Sequence, residues 1–124
     1  MLRGFLGLLR KRNEMNTNEL ETPTIGQGAT KYYPQDRYGY VITKVTKTTF
    51  TAVRLTPVSA TTGHTPASFA GPWPVWHHIY TAEEMATMQE PGTEIVVRKT
   101  KQGWRASGTS FYVGSAVFHR DYSY

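Results

Sequence analysis

The residues best suited to chemistry in this chain are cations set apart from acids. No Asp or Glu occurs between Asp36 and Glu83, nor between Glu94 and Asp121. Arg54 lies in the first interval, and Arg98, Lys99, Lys101, Arg105 and Arg120 lie in the second. Cations without neighbouring carboxylates are available to anions, phosphates above all. Trp76, Tyr80, Trp104, Phe111 and Tyr112 sit among them. A nucleotide needs this pairing, a π face for the base and a guanidinium for the phosphate. The plainer alternative is a set of solvated strand faces and core aromatics. On the first reading Arg54 and Arg105 hold phosphates, Trp104 or Trp76 stacks on the base, and Arg98, Arg120 and Asp121 complete the surroundings. Trp104 and Arg105 are consecutive, so on a strand they point to opposite faces. They share a ligand only through a bulge or a subunit interface; otherwise Trp76 is the stacking residue.

A second candidate is the stretch from Ile25 to Tyr40, IGQGATKYYPQDRYGY. A dinucleotide fingerprint needs three spaced glycines between a strand and a helix. Here Gly26 and Gly28 are followed by Lys31 in place of the third glycine, then by strand-forming residues. A Walker loop lacks its Gly-Lys-Ser/Thr. Two uses of the glycines remain: unusual backbone angles at the entry to a strand, or a backbone nest approaching an anion.

Other chemistries find little support. The chain has no cysteine, which excludes disulfides, thiolate metal sites and cysteine nucleophiles. No nucleophile-elbow pattern accompanies the many Ser and Thr residues. Of the four histidines, His77 and His78 are adjacent and diverge on a strand, and His119 beside Arg120 and Asp121 offers one ligand or base. Glu83 and Glu84 read as helix-start residues. No catalytic residue, metal or cofactor is expected, and the chain does not read as an enzyme.

The elements that must position these residues are mainly β. ATKYY, YGYVITKVT and TTFTAVRLT are rich in Thr, Val, Ile, Tyr and Phe and predict an antiparallel meander. Tyr33-Pro34-Gln35-Asp36 forms the first turn, with proline preset for its second position. Residues 57–76 contain four prolines and two glycines and read as a long functional loop, a lid whose Trp73 or Trp76 covers the ligand. TAEEMATMQE reads as one short helix, with Thr81 and Glu84 at capping-box spacing. TEIVVRKT, a KQG turn, WRAS and the tail SFYVGSAVFHRDYSY supply further strands.

With 124 residues and a net charge of +5, the chain reads as one domain at 25–124 behind a leader and tether at 1–24. Arg3, Arg10, Lys11, Arg12 and Glu14 give the first 14 residues +3, leaving +2 for the rest. Leu2, Phe5, Leu8 and Leu9 beside those cations resemble a membrane-surface helix, while Met15 is an alternative start. Nothing approaches the ~18 consecutive apolar residues of a membrane span, so the expected compartment is the cytoplasm. In YVITKV, Val41 and Val45 alternate against Tyr40 and Ile42; in EIVVRK, Val96 alternates against Ile95 and Val97. A half-exposed sheet would alternate cleanly. Either a barrel has its outside covered by a helix and loop, or a second copy buries the other face. The second option is preferred, giving a homo-oligomer, a dimer or higher.

The order GQGAT, DRYGYVITKV, RKTKQGW and HRDYSY resembles a family of short phage-encoded proteins. The resemblance covers residues 26–54 and 98–124, leaves 57–90 unaligned, and departs at Tyr124, where the family pattern has phenylalanine. Among phage proteins of this size, the Thoeris anti-defence sponges are similar in length and β content. That likeness implies a non-enzymatic protein that sequesters a cyclic ADP-ribose-type or cyclic oligonucleotide signal, between subunits, in the cytoplasm of an infected bacterial host. The alternatives are a small β-barrel for single-stranded nucleic acid and a protein-binding inhibitor or virion component. The expected fold is a small curved antiparallel sheet or partly open barrel of five to six strands with one short α-helix.

Overall fold

The computed structural model describes residues 22–121. Residues 1–21 of the leader and tether, and the closing residues 122–124, lie outside it. In chain order the strands are β1 (Gly28–Tyr32), β2 (Arg37–Val45), β3 (Thr49–Arg54), β4 (Ser68–Ala70), β5 (Trp73–Ile79), β6 (Ile95–Thr100), β7 (Gly103–Ala106), β8 (Thr109–Gly114) and β9 (Val117–Asp121). One helix, α1, spans Ala82–Thr87, and a 3-10 turn occupies Ala60–Thr62. The protein is mainly β with one short helix, as the strand pattern predicts. None of the described helices is long and apolar enough to cross a membrane.

Strands β1, β2, β3, β6, β7 and β8 close into a six-stranded antiparallel barrel, because β1 pairs with both β2 and β8. An arm of β9, β5 and β4 continues the sheet from β2, joined through Arg37 opposite His119. Ala29, Tyr40, Ile42, Phe50, Ala52, Val97, Trp104, Ala106 and Phe111 fill the barrel. Aromatic edges meet inside it, with Phe50 and Trp104 centroids 5.1 Å apart and Tyr40 and Phe111 5.2 Å apart.

The mixed alternation of β2 has two separate causes. A bulge between Ile42 and Lys44 inserts Thr43, so that Val45 pairs with Phe50 and packs against the barrel interior, on the same side as Ile42. Val41, on the outer phase, enters a second core with Val53, Leu55, Val58, Trp76, Tyr80, Ala116 and Phe118, which Met85 and Met88 of the helix region flank. The outer face of β2 is therefore covered by the same chain. The ground for expecting a second copy is met internally at β2. At β6, Val96 does stand exposed while Val97 is buried.

The proline-rich stretch is not an open lid. It folds as the 3-10 turn and the β4–β5 hairpin, and its Val58 and Trp76 help build the second core. Sequence pattern alone underrates β5, because Pro74 sits inside it. Proline is tolerated there, where Phe69 of the outermost strand is its register partner.

Candidate functional site at the barrel mouth

Because β2 alternates, Tyr38 and Tyr40 lie on the same inward phase as Ile42. Register places Lys31 opposite Tyr38 and Arg54 opposite Tyr40, and cross-strand partners leave a sheet on one face. These side chains open one end of the barrel into a pocket of about 630 Å³, lined also by Tyr33, Pro34, Gln35, Asp36, Pro57 and Arg120. The turn at residues 33–36 forms its rim. Its ends are joined by the Tyr33 amide donating to the Asp36 carbonyl at 3.0 Å. Arg37 stiffens it by donating to the carbonyls of Tyr33 and Asp36 at 3.1 and 3.2 Å.

The pocket presents three cations and three phenol rings. Lys31 Nζ lies 5.1 Å from the centroid of the Tyr33 ring, within cation–π range. The Tyr33 ring meets Tyr38 edge-on at 5.6 Å. Arg120 donates to the Tyr38 hydroxyl at 3.1 Å. Arg54 donates from Nε to Glu90 Oε1 at 2.7 Å, and that hydrogen bond raises its pKa further, so it stays charged. Burial pushes the Tyr40 phenol up, although Lys31 and Arg54 pull it down. Tyr40 is thus a neutral hydroxyl beside permanent cations. Such a wall can hold an anion and stack a ring against its aromatic edges.

The residues expected from sequence are dispersed by the fold. Arg54 and Arg120 reach the pocket. The reading of Arg54 as a cation without a neighbouring carboxylate is corrected by Glu90, distant in sequence but 2.7 Å away in space. Trp104 and Trp76 are both buried, in the barrel and the second core respectively, and neither lines the pocket. Arg105 points away from Trp104 and braces the β7–β8 turn, donating to Ser110 Oγ at 2.8 Å and to the Gly108 carbonyl at 2.6 Å. Both residues of that turn, Ser107 and Gly108, have positive φ, as a two-residue hairpin demands. Arg98 is the register partner of Arg105 and is exposed. Asp121 ends β9, opposite Val75. Trp73 stands exposed at the β4–β5 hairpin.

The two glycines of the opening motif serve the backbone. Gly26 has φ 89° and its amide donates to the Ile42 carbonyl at 2.8 Å. A Cβ on Gly28 would lie 2.4 Å from the Ala116 nitrogen. Neither lines the pocket. Ala29 is fully buried, and Thr30 donates to the Ser115 carbonyl at 2.7 Å while accepting from the Val117 amide at 3.0 Å. GQGAT thus reads as a seam joining β1 to the β8–β9 corner.

What sequence reasoning missed were Lys31, Tyr33, Tyr38 and Tyr40, all within the stretch that drew attention to its glycines. Their signal was there: alternate positions on β2 and a lysine directly across a short turn. It also missed an acid–histidine cluster. Glu84 does cap α1, accepting from the Thr81 amide at 2.9 Å, and it also meets His64 at 2.9 Å and His78 at 2.8 Å. Against known protein families, curated proteins and solved structures, the chain finds no match.

Proposed function

We propose that this protein captures a small phosphorylated nucleotide in the barrel mouth and does not convert it. The observation that carries the reading is the convergence of Lys31, Arg54 and Arg120 with Tyr33, Tyr38 and Tyr40 on one pocket of about 630 Å³. That size suits a ligand of nucleotide class, for which pockets run ~300–1,000 Å³. Capture is favoured over turnover by the wall chemistry. Arg54 is a permanent cation and the Tyr40 phenol is pushed up, away from the neutral range that acid–base catalysis uses. With the resemblance to phage-encoded anti-defence proteins, the ligand becomes a cyclic ADP-ribose-type or cyclic oligonucleotide immune signal, sequestered in the infected bacterial cell.

One observation favours a second reading. Arg98 and Arg105 are cross-strand partners on the outside of β6 and β7, Lys101 is exposed at the same hairpin, and Tyr112 is exposed on β8. A basic, aromatic outer face is what single-stranded nucleic acid uses.

Calorimetry of the full chain against ADP-ribose isomers, cyclic mono- and dinucleotides, and a short single-stranded oligonucleotide separates the two. Pocket capture gives one nucleotide per chain with modest salt dependence. Binding of the oligonucleotide alone, with affinity falling steeply as salt rises, sinks the capture reading in favour of the outer face.

A further inference from the structure

His64, His78 and Glu84 come from three separate segments: the loop after the 3-10 turn, strand β5, and the first turn of α1. Their ligand-capable atoms, one from each residue, all lie within 4.8 Å of one another. His64 Nε2 lies 2.9 Å from Glu84 Oε2, and His78 Nε2 lies 2.8 Å from Oε1. The side chains are only 19%, 25% and 22% exposed for His64, His78 and Glu84.

The hydrogen bonds around Thr62 orient the His64 ring. Thr62 Oγ1 touches three groups: it accepts from the Ser59 amide at 2.8 Å, donates to the Ser59 carbonyl at 2.8 Å, and meets His64 Nδ1 at 2.7 Å. A hydroxyl has one hydrogen and two lone pairs. Its hydrogen goes to the carbonyl, since two oxygens at that distance need a proton between them. The third contact is then Nδ1–H donating to Oγ1. His64 Nε2 therefore turns toward the Glu84 carboxylate. Glu84 is held in turn by the Thr81 amide, which donates to its Oε1 at 2.9 Å.

From this geometry we propose that His64 Nε2, His78 Nε2 and a Glu84 oxygen bind a divalent transition-metal cation of the zinc type. Two imidazoles and one carboxylate are a nitrogen–oxygen set that zinc takes readily, with water at a fourth position. Thr62 on Nδ1 of His64 and the Thr81 amide on Glu84 are the outer partners that orient such ligands. Metal–ligand bonds of ~2.0–2.1 Å set ligand atoms ~3.3 Å apart in a tetrahedron. The Nε2–carboxylate separations of 2.8 and 2.9 Å and the 4.8 Å bound on the three ligand atoms bracket that spacing. The ion would clamp the loop at residue 64 to β5 and α1, and so tie down one flank of the second core.

The test is titration of the chelator-stripped full chain with zinc chloride by calorimetry, with thermal melting in parallel. The expected result is one zinc per chain at micromolar or tighter Kd and a melting temperature raised by at least ~5 °C at saturating metal. His64→Ala and His78→Ala, checked for folding by near-ultraviolet circular dichroism, each weaken binding at least tenfold. Should either variant unfold, cobalt absorption of the wild type decides instead: a strong visible band requires a tetrahedral nitrogen–oxygen site. Absence of that band, or binding only at millimolar zinc, overturns the proposal. So does wild-type affinity that survives both variants and disappears in His77→Ala, because His77 and His119 form an exposed pair with Nδ1 atoms 3.0 Å apart.

Discussion

Tyr40 and Arg54 are register partners across β2 and β3, so both side chains leave the sheet on the inward face at the open end of the barrel. A charge-assisted contact from Arg54 to phosphate is worth roughly 1.5–3 kcal/mol. Arg54→Ala is therefore expected to weaken nucleotide binding about 10- to 150-fold, and Lys31→Ala to do the same if the phosphate sits between them. The Arg54–Glu90 pair is partly exposed, with the arginine side chain 43% accessible, so the stability change should stay within ~1 kcal/mol. Calorimetry and urea unfolding on the same variants check both halves.

Gly28 and Gly26 should respond differently to alanine. At Gly28 the new Cβ would meet backbone of Ala116 at 2.4 Å, which no side-chain rotation relieves. A loss of about 2–3 kcal/mol or more is expected. Gly26 has open space around it but φ 89°, so Gly26→Ala should cost about 1–3 kcal/mol through strain alone. Ligand affinity of folded Gly26→Ala should match wild type. A large affinity loss would restore the anion-nest reading of the motif.

The two tryptophans of the proline-rich stretch offer a sharp contrast. Trp76→Ala removes a buried ring from the second core and should cost about 3–5 kcal/mol. Trp73, 53% exposed, should tolerate alanine within ~0.5 kcal/mol. Equal effects in thermal melting would contradict this placement of the hairpin.

Tyr80 sets an alkaline limit. Its hydroxyl donates to the Thr56 carbonyl at 2.7 Å, and burial first, then the charges of Glu84 and Glu90, push its pKa well above the ordinary phenol value. A group raised on folding contributes stability that is complete below its unfolded pKa of 10.0 and declines above it. Stability should fall as pH rises beyond 10. Tyr80→Phe should lower stability by about 0.5–1.5 kcal/mol at neutral pH and flatten that alkaline decline. Unfolding curves across pH 8–11 (roughly the span in which the phenol begins to titrate) supply the measurement.

Much of the fold was legible because its signals are local. The turn at Tyr33–Asp36, the capping box of Thr81 and Glu84, and the β-rich runs each depend on neighbours in sequence. Val45 was misassigned because a bulge is one residue of backbone geometry that hydrophobic pattern does not mark. The site was less legible for a related reason. An acid-free interval in sequence says nothing about Glu90 crossing from another segment to meet Arg54. Trp76 and Trp104 carried the expected aromatic chemistry, but large rings in a small domain are needed first for its cores. Three tyrosines, apolar rings with a polar tip, took the position at the pocket instead.

The bond from Thr30 to Ser115 spans 85 positions of the chain, and β1 must find β8 for the barrel to close. In kinetic terms, closure is a late event: β1 and β2 can form a hairpin early, but the edge of β1 waits until β8 has been made. Long-range pairing of this kind is slow, in the millisecond-to-second class of β-barrels. During synthesis on the ribosome, β1 therefore emerges with one edge unsatisfied and keeps it so until nearly the whole domain has followed.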